Sequence, residues 1–373
     1  MIIIYGKYTN ANIKTNAVEP DVIKQVTFLC NHPLFEGKKI VMQADTHPGQ
    51  GTCIGTCAEI DINHIIPWMI GTDMGCTVSA TKIEGKTLKD FNKLDKVIKD
   101  LKVKKNRLLY KYAEETIHAI CSPKEWYETP YLNSLGTIGH CNHFISIEQG
   151  ETGTYLLIHS GSRNLGKDLH VYYGKKALEQ NPYAHCGELK QLSYLNEETS
   201  KQYCKDLIYA ETFAKINHHM IASCICNEMK WDKIDWVPTE LGNENYILYC
   251  PHNYIDFEHN ILHKGSIRLE AEELGIIPIN MADGSFIVQG IGNSDYLNSA
   301  PHGAGRLMSR ADAKSLDMKE YKQRMKNVYS SCVNVNTIDE SPMAYKPIEY
   351  VKESIEPICE IIDHLKPLYN YKG

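Results

Sequence analysis

Five short segments of this 373-residue chain set metal-ligand or nucleophile side chains beside glycine or asparagine. Asp73-Met74-Gly75-Cys76 puts a carboxylate and a thiol on one tight turn, behind the apolar run 65–70. Asn142-His143-Phe144 follows Gly136-Thr137-Ile138-Gly139. His159-Ser160-Gly161-Ser162-Arg163 comes directly after an apolar run at 155–158, and His252-Asn253-Tyr254 follows another at 246–250. His302-Gly303-Ala304-Gly305-Arg306 sits in a small-residue loop. Histidines at strand ends, each followed by turn residues, are placed to converge at one edge of a sheet. Three histidines with an aspartate and a thiolate suit Mn2+, Zn2+ or Fe2+, and so mixed a donor set does not choose among them. Any one of these histidines alone reads as a hydrogen-bonded structural residue. Four in one setting make a candidate metal site.

A second group points to phosphate. Asp45-Thr46-His47-Pro48-Gly49-Gln50-Gly51 is a polar, glycine-broken loop whose backbone N–H groups are expected to face an anion. Arg163, Arg306 and Arg310 each follow a small-residue turn, and guanidinium forks suit phosphate oxygens. Neither a Walker-type loop nor a Gly-x-Gly-x-x-Gly fingerprint is present, which argues against the standard nucleotide folds. Cys53-x-x-x-Cys57 and Cys224-Ile225-Cys226 lack a second pair at zinc-site spacing and read as core. The lysines from Lys86 to Lys105, with Arg107, recur at three and four away from the apolar stripe and read as solvated helix surface.

The elements that must position these residues follow from pattern. Strands are expected at 39–42, 76–83, 155–159, 246–250 and 285–289. Helical periodicity covers three stretches: Thr87–Cys121, Glu197–Lys230 with Asn196 as N-cap, and Pro347 to about Leu365, kinked at Pro357 and stopped by Pro367. Strands lie before, between and after helices, and no repeat or composition break divides the chain. The expected fold is therefore α+β, one interwoven domain over residues 1–373 with β-sheets flanked by helices. Hydrophobic residues at 43% and charged residues at 23% exclude wholesale disorder. Forty basic against 46 acidic residues give a net charge of -6, so a general nucleic-acid-binding coat is absent. No apolar run approaches the roughly 18 residues of a membrane span, and the opening Met1–Lys7 is too short for a signal peptide. A soluble, cytoplasmic protein with reduced thiols is expected, although it carries 13 cysteines.

Taken together, these segments resemble the RtcB family of RNA-splicing ligases. The resemblance runs from Val41 to Lys372-Gly373. It is carried by Thr72–Cys76, Gly139–Phe144, Leu157–Gly166, His252-Asn253-Tyr254, Lys264–Arg310 and Pro342–Lys346. It implies an RtcB-like domain with a metal-centred active-site cleft. The implied reaction joins an RNA end bearing a 2′,3′-cyclic phosphate or 3′-phosphate to a 5′-hydroxyl end, using GTP and two Mn2+ ions. Cys76 would bridge the ions, with Asp73 and His143 completing one and His159 and His252 the other. His302 matches the nucleophile that carries GMP, and Asn142 a contact to the α-phosphate. Gly303, Ala304 and Gly305 would lie against the nucleotide, and Ser285, Tyr345 and Lys372 around its base. Arg163 and Asp45 match residues that process RNA ends. An activating protein partner is left unidentified.

The departures fall on substrate choice. Family members usually read Asn-His-Phe-x-Glu, the glutamate contacting the guanine edge, whereas here Ser146 stands in that place. Glu148, two residues on, shares a strand face with Ser146 and could substitute. Pro278-Ile279-Asn280-Met281-Ala282 replaces the usual Pro-Gly-Ser-Met-Gly, and the loop before Trp126 is reduced to Ser122-Pro123-Lys124-Glu125. A specialised RNA-repair paralogue is one reading. A 3′-phosphate nucleotidyltransferase with relaxed nucleotide choice, a cyclic-phosphate hydrolase and a silent RNA-binding scaffold are the others. Intact candidate ligands and His302 weigh against the scaffold.

Overall fold

In the computed structural model, the described residues are 1–83, 90–101, 107–122, 128–140, 142–180, 183, 186–232 and 247–373. Strands, numbered in chain order, are β1 (Ile2–Tyr5), β2 (Asn10–Ile13), β3 (Ile40–His47), β4 (Ile54–Glu59), β5 (Thr77–Ile83), β6 (Phe144–Gln149) and β7 (Thr154–Ser160). They continue as β8 (Ile247–Pro251), β9 (Asn253–Asp256), β10 (Ile261–Lys264), β11 (Ser266–Arg268), β12 (Leu274–Asn280), β13 (Gly284–Gly290), β14 (Ser299–Pro301) and β15 (Cys359–Lys372). The helices are α1 (Pro20–Cys30), α2 (Phe91–Lys99), α3 (Arg107–His118), α4 (Glu128–Ser134), α5 (Asn164–Gln180), α6 (Glu197–Met229), α7 (Arg310–Ala313), α8 (Met318–Arg324) and α9 (Ile348–Ile355).

Two large sheets organise these elements. A six-stranded sheet runs β1-β2-β3-β4-β10-β9, and a seven-stranded sheet runs β12-β13-β15-β6-β7-β5-β8. A β11–β14 ribbon forms a third unit. Only the β2–β3 pairing among these strands is parallel. The α+β expectation with sheets flanked by helices holds.

Long α6 links the cores. Its Tyr203, Leu207, Ala210 and Phe213 pack with α1, α3 and α5, while Ile221 and Ile225 pack against β6 and β7. Asn196 caps it as expected, its side chain accepting from Thr199 N. The buried face also carries Asn217 and His218, whose polar atoms need partners and find them behind the site.

Two expectations are corrected. The stretch 87–121 is two helices, α2 and α3, among its described residues. Lys86, Lys89, Lys102, Lys104 and Lys105 lie outside them, as do residues 123–125 of the short loop and Tyr246. The third stretch is helical only to Ile355, and from Cys359 it is strand β15. Pro357 ends the helix, and beyond it buried Cys359, Asp363, Leu365 and Tyr369 follow strand alternation, while Ile361 and Ile362 are exposed. Pro367 does not stop the strand because it sits at a bulge opposite β6, where a missing N–H is tolerated. Among the described residues no helix is long and apolar enough to cross a membrane.

Packing should outweigh capping in α6. By chemical denaturation, Phe213→Ala is expected to cost about 3–5 kcal/mol, against ~1 kcal/mol for Asn196→Ala. Equal losses would contradict the placement of Phe213 in the core.

Candidate metal centre and cleft

The seven-stranded sheet gathers the ligand types at one end. Cys76 precedes β5, His143 precedes β6, His159 is next to last in β7 and His252 follows β8. Because β6, β7, β5 and β8 are successive neighbours, residues distant in sequence meet. Register fixes the meeting: His159 pairs with Phe144 on one side and Val78 on the other, and Thr77 pairs with Pro251. Cys76 Sγ lies 3.4 Å from His143 Nε2 and 3.2 Å from His159 Nε2. His159 Nε2 lies 3.3 Å from His252 Nε2, and His143 Nε2 lies 2.8 Å from Asp73 Oδ2.

These five side chains fit a cation. Cys76, His143 and His159 offer ligand atoms that all lie close together around one point. Burial, then His143 and His252, pushes His159 well below the ordinary histidine range. Burial, then His302, does the same to His252. Burial raises Asp73, but the hydrogen bond and charge of His143 outweigh it and hold the carboxyl near 2. Neutral imidazoles at His159 and His252 and an ionised carboxylate at Asp73 are the ligand forms. Burial, then Asp73, pushes the Cys76 thiol well up, and a divalent cation is the partner that would ionise it.

A second layer orients the ligands. His143 Nδ1 donates to Ile138 O at 3.0 Å, which fixes the ring with Nε2 facing Cys76 and Asp73. The same carbonyl accepts from Ser160 Oγ at 2.8 Å and Arg163 Nη1 at 2.6 Å. Asn217 bonds Thr137 O, Ser160 Oγ and Gly136 N, and His218 spans Ser79 Oγ and Ser160 O. Gly161 must lack a side chain, since a Cβ there would lie 2.2 Å from Asp73 Oδ1.

The six-stranded sheet supplies the facing wall. Asp45, at the end of β3, accepts from His302 Nδ1 at 2.8 Å, so the lone pair of Nε2 is left for the cleft. The His302 ring stands 4.9 Å from that of His252. Gly305, at φ 74°, lets the loop close on Asp45, whose Cα would be 2.7 Å from an added Cβ. The cleft between these walls has a volume of about 340 Å³. Asn142, Ser285, Gly303, Ala304, Gly305, Arg306, Arg310, Tyr345 and Lys372 line it together with Asp73, Cys76, His159, His252 and His302.

Two expected residues sit elsewhere. Arg163 stands behind His143, and Asp45 is buried behind His302. The glycine-broken loop does not offer its amides to an anion at Gly49 and Gly51, because Gln25 and Gln191 side chains accept from them. Of the cysteine pairs left as core, Cys53, Cys57 and Cys226 are buried, and each of these is a free thiol.

At the other end of the cleft, Ser146 Oγ donates to Glu148 Oε1 at 2.7 Å. Burial pushes the Glu148 carboxyl up to about 7. Ser285 lies close enough to favour its ionised form, yet Glu148 Oε2, Ser285 Oγ and Asn370 Oδ1 make no well-aligned hydrogen bond. Asn280 is occupied: its Oδ1 accepts from Ala282 N and Asp283 N, both at 2.9 Å, closing the β12–β13 turn.

Sequence reasoning missed two groups. Lys264 is a buried cleft lysine that burial brings down to about 7. Glu340 is a buried carboxylate reached by Lys372, Tyr345, Arg306 and Arg310. An acidic pair, Asp339-Glu340, just before Pro342–Lys346 was the available signal.

Comparison with known proteins gives one consistent answer. The family model described as tRNA-splicing ligase RtcB matches residues 119–373. The RNA-splicing ligase RtcB of Escherichia coli K12 is 29% identical over 391 residues, covering 95% of each chain. RNA-splicing ligase RtcB2 of another Escherichia coli strain is 26% identical, covering 95% of this chain and 93% of its own. The tRNA-splicing ligase RtcB of Nanoarchaeum equitans is 26% identical over 65% of this chain and 60% of its own.

The thiol at the centre gives a direct test. Cys76→Ala should retain less than a tenth of the wild-type metal after Mn2+ loading and desalting, measured by plasma mass spectrometry. Full occupancy in that variant would contradict the shared ligand.

Proposed function

The chain belongs to the tRNA-splicing ligase RtcB family, and from that premise we propose that it is a GTP- and Mn2+-dependent RNA ligase. It joins 2′,3′-cyclic phosphate or 3′-phosphate ends to 5′-hydroxyl ends through a histidine–GMP intermediate, with residues 1–373 acting as one cytoplasmic ligase domain. The observation that carries this reading is His302: its Nδ1 is held by Asp45, and its ring stands beside His252 of the ligand cluster.

Asp73, Cys76 and His143 would hold one Mn2+, and Cys76, His159 and His252 the second. Bound there, the ions supply charge neutralisation for phosphates and alignment of attacking and leaving oxygens. His302 Nε2 attacks the α-phosphorus of GTP; a P–N bond forms as the bond to the β-phosphate oxygen breaks, and pyrophosphate leaves. Asp45 keeps the Nδ1 proton in place and stabilises the charge that develops on the ring. An RNA 3′-phosphate oxygen then attacks the same phosphorus, and His302 departs neutral. The 5′-hydroxyl attacks the RNA phosphorus last, and GMP is released. A cyclic phosphate is first opened by water to the 3′-phosphate.

Asn142 contacts the α-phosphate, and Gly303, Ala304 and Gly305 give the nucleotide close backbone access. Arg163 contributes to RNA-end processing by holding His143 rather than by touching RNA. Ser285, Tyr345 and Lys372 surround the base, and Glu148 takes the selecting role that Ser146 lacks. Its free oxygen in the cleft supports this. The net charge of -6 favours RNA contact confined to the cleft. The altered base end also keeps alive an end-capping nucleotidyltransferase or a cyclic-phosphate hydrolase, in a specialised RNA-repair role.

Ligation of a 2′,3′-cyclic phosphate RNA to a 5′-hydroxyl RNA with Mn2+ and GTP tests the proposal. Accumulation of 3′-nucleotidylated or 3′-phosphate RNA without joining would turn it to the alternatives. Asp45→Asn should slow nucleotide transfer by roughly 10²-fold or more, because it favours the wrong tautomer; an unchanged single-turnover rate would remove Asp45 from this role. Glu148→Gln should reduce the preference for GTP over ATP by about tenfold or more, from the loss of one charged hydrogen bond. Unaltered preference would assign base selection to another residue.

A further inference from the structure

Glu340 does not line the cleft, yet four residues that do are fastened to it. It ends a 3-10 turn, Val335–Glu340, and is 2% exposed. Its Oε2 accepts from Lys372 Nζ and from Tyr345 OH, each at 2.7 Å. Its Oε1 takes Arg306 Nη1 at 3.5 Å and a close contact from Arg310 Nη1. The neighbouring Asp339 accepts from the same arginines, from Arg306 Nη2 through its carbonyl and from Arg310 Nη1 through its carboxylate, both at 2.7 Å.

Three cations on one wall repel one another, and two of them are nearly out of water: the side chains of Lys372 and Arg306 are 7% and 11% exposed. Removing an ion from water without a partner is strongly unfavourable. A carboxylate between them resolves both problems. Burial raises its pKa, but Lys372 and Arg310 outweigh burial and hold it near 2, so the charge is present at every working pH. The two oxygens also divide the wall. One fixes Lys372 and Tyr345, and the other fixes Arg306 and Arg310.

We propose that Glu340 is a positioning residue that locks these two pairs at a fixed separation, forming a pre-organised cradle for the base and phosphates of one nucleotide. The proposal rests on the ligase reading for the nature of that nucleotide. Pre-organisation lowers the loss of freedom on binding, so its removal should appear in affinity rather than in the chemical step.

The sign of the effect separates positioning from simple charge. If Glu340 only subtracted positive charge, Glu340→Gln would bind polyanions more tightly. Positioning predicts the reverse. In Glu340→Gln, KM for GTP in formation of the His302 adduct should rise at least tenfold, with the saturated rate within threefold of wild type. Glu340→Asp, which keeps the charge, should recover part of that loss. Combined with Lys372→Met, Glu340→Gln should add less than twofold, because much of its effect passes through Lys372. Tighter binding, an unchanged KM or full additivity would overturn the proposal. Absence of any adduct in the wild type would instead overturn the ligase reading. In that case, calorimetric titration with inorganic tripolyphosphate decides for Glu340: weaker binding by Glu340→Gln supports the cradle, and equal or tighter binding defeats it. If Glu340→Gln does not fold, Glu340→Asp carries the same comparison, with unchanged KM as the defeating result.

Discussion

The meeting of a buried thiol with two imidazoles, flanked by a carboxylate on one side and a third imidazole on the other, is the constraint around which the rest of this molecule is arranged. No side chain in the group can satisfy it alone. Cys76 Sγ faces two imidazole nitrogens, and His159 faces a third group of its own kind. Such a set is unfavourable as a chain of neutral hydrogen-bonding groups and favourable around divalent cations. The strand order β6-β7-β5-β8 is what makes it possible, since each of those four strands delivers one ligand at the same end.

Everything behind the cluster serves to keep it aimed. The Ile138 carbonyl holds His143, Ser160 and Arg163 at once, and α6 reaches in with Asn217 and His218 to fix the backbone on both sides. In front of it, Asp45 of the six-stranded sheet holds His302, which follows β14 of the small ribbon. The His302 ring is thereby set beside metal-type ligands from the seven-stranded sheet. A loop alone would give less precise placement than two packed sheets. Glu340 plays the corresponding part on the far wall, ordering cations that would otherwise disperse.

Much of the site was legible because its residues announce themselves by type and setting. Histidine or cysteine at the end of an apolar run, followed by glycine or asparagine, marked the segments that the sheet brings together. The helix after Asn196 was legible for a similar reason, through its cap and its apolar period. What stayed hidden depended on partners. Ile348, Val351, Ile355, Ile358 and Ile362 imitate a helical stripe, and only the β13 and β6 neighbours make residues 359–372 a strand. Glu340 looks like any surface acid until Lys372 and the arginines are seen around it. Arg163 follows a turn suited to phosphate binding, yet its guanidinium is taken up by a carbonyl behind His143. Asn280 lines the cleft as its position suggests, yet its side-chain oxygen is engaged by its own turn. Local pattern identifies chemistry-bearing residues, whereas burial and pairing decide what each one faces.

The central claim is that Cys76 is shared by two ions next to His302. Anomalous diffraction from crystals grown with Mn2+, collected on both sides of the manganese edge, tests it most directly. The account predicts two manganese peaks roughly 3.5–4 Å apart, flanking Cys76 Sγ. One should be bounded by Asp73 and His143 and the other by His159 and His252, with His302 Nε2 outside both. A single peak, or peaks that leave Cys76 unligated or take His302 as a ligand, would contradict it.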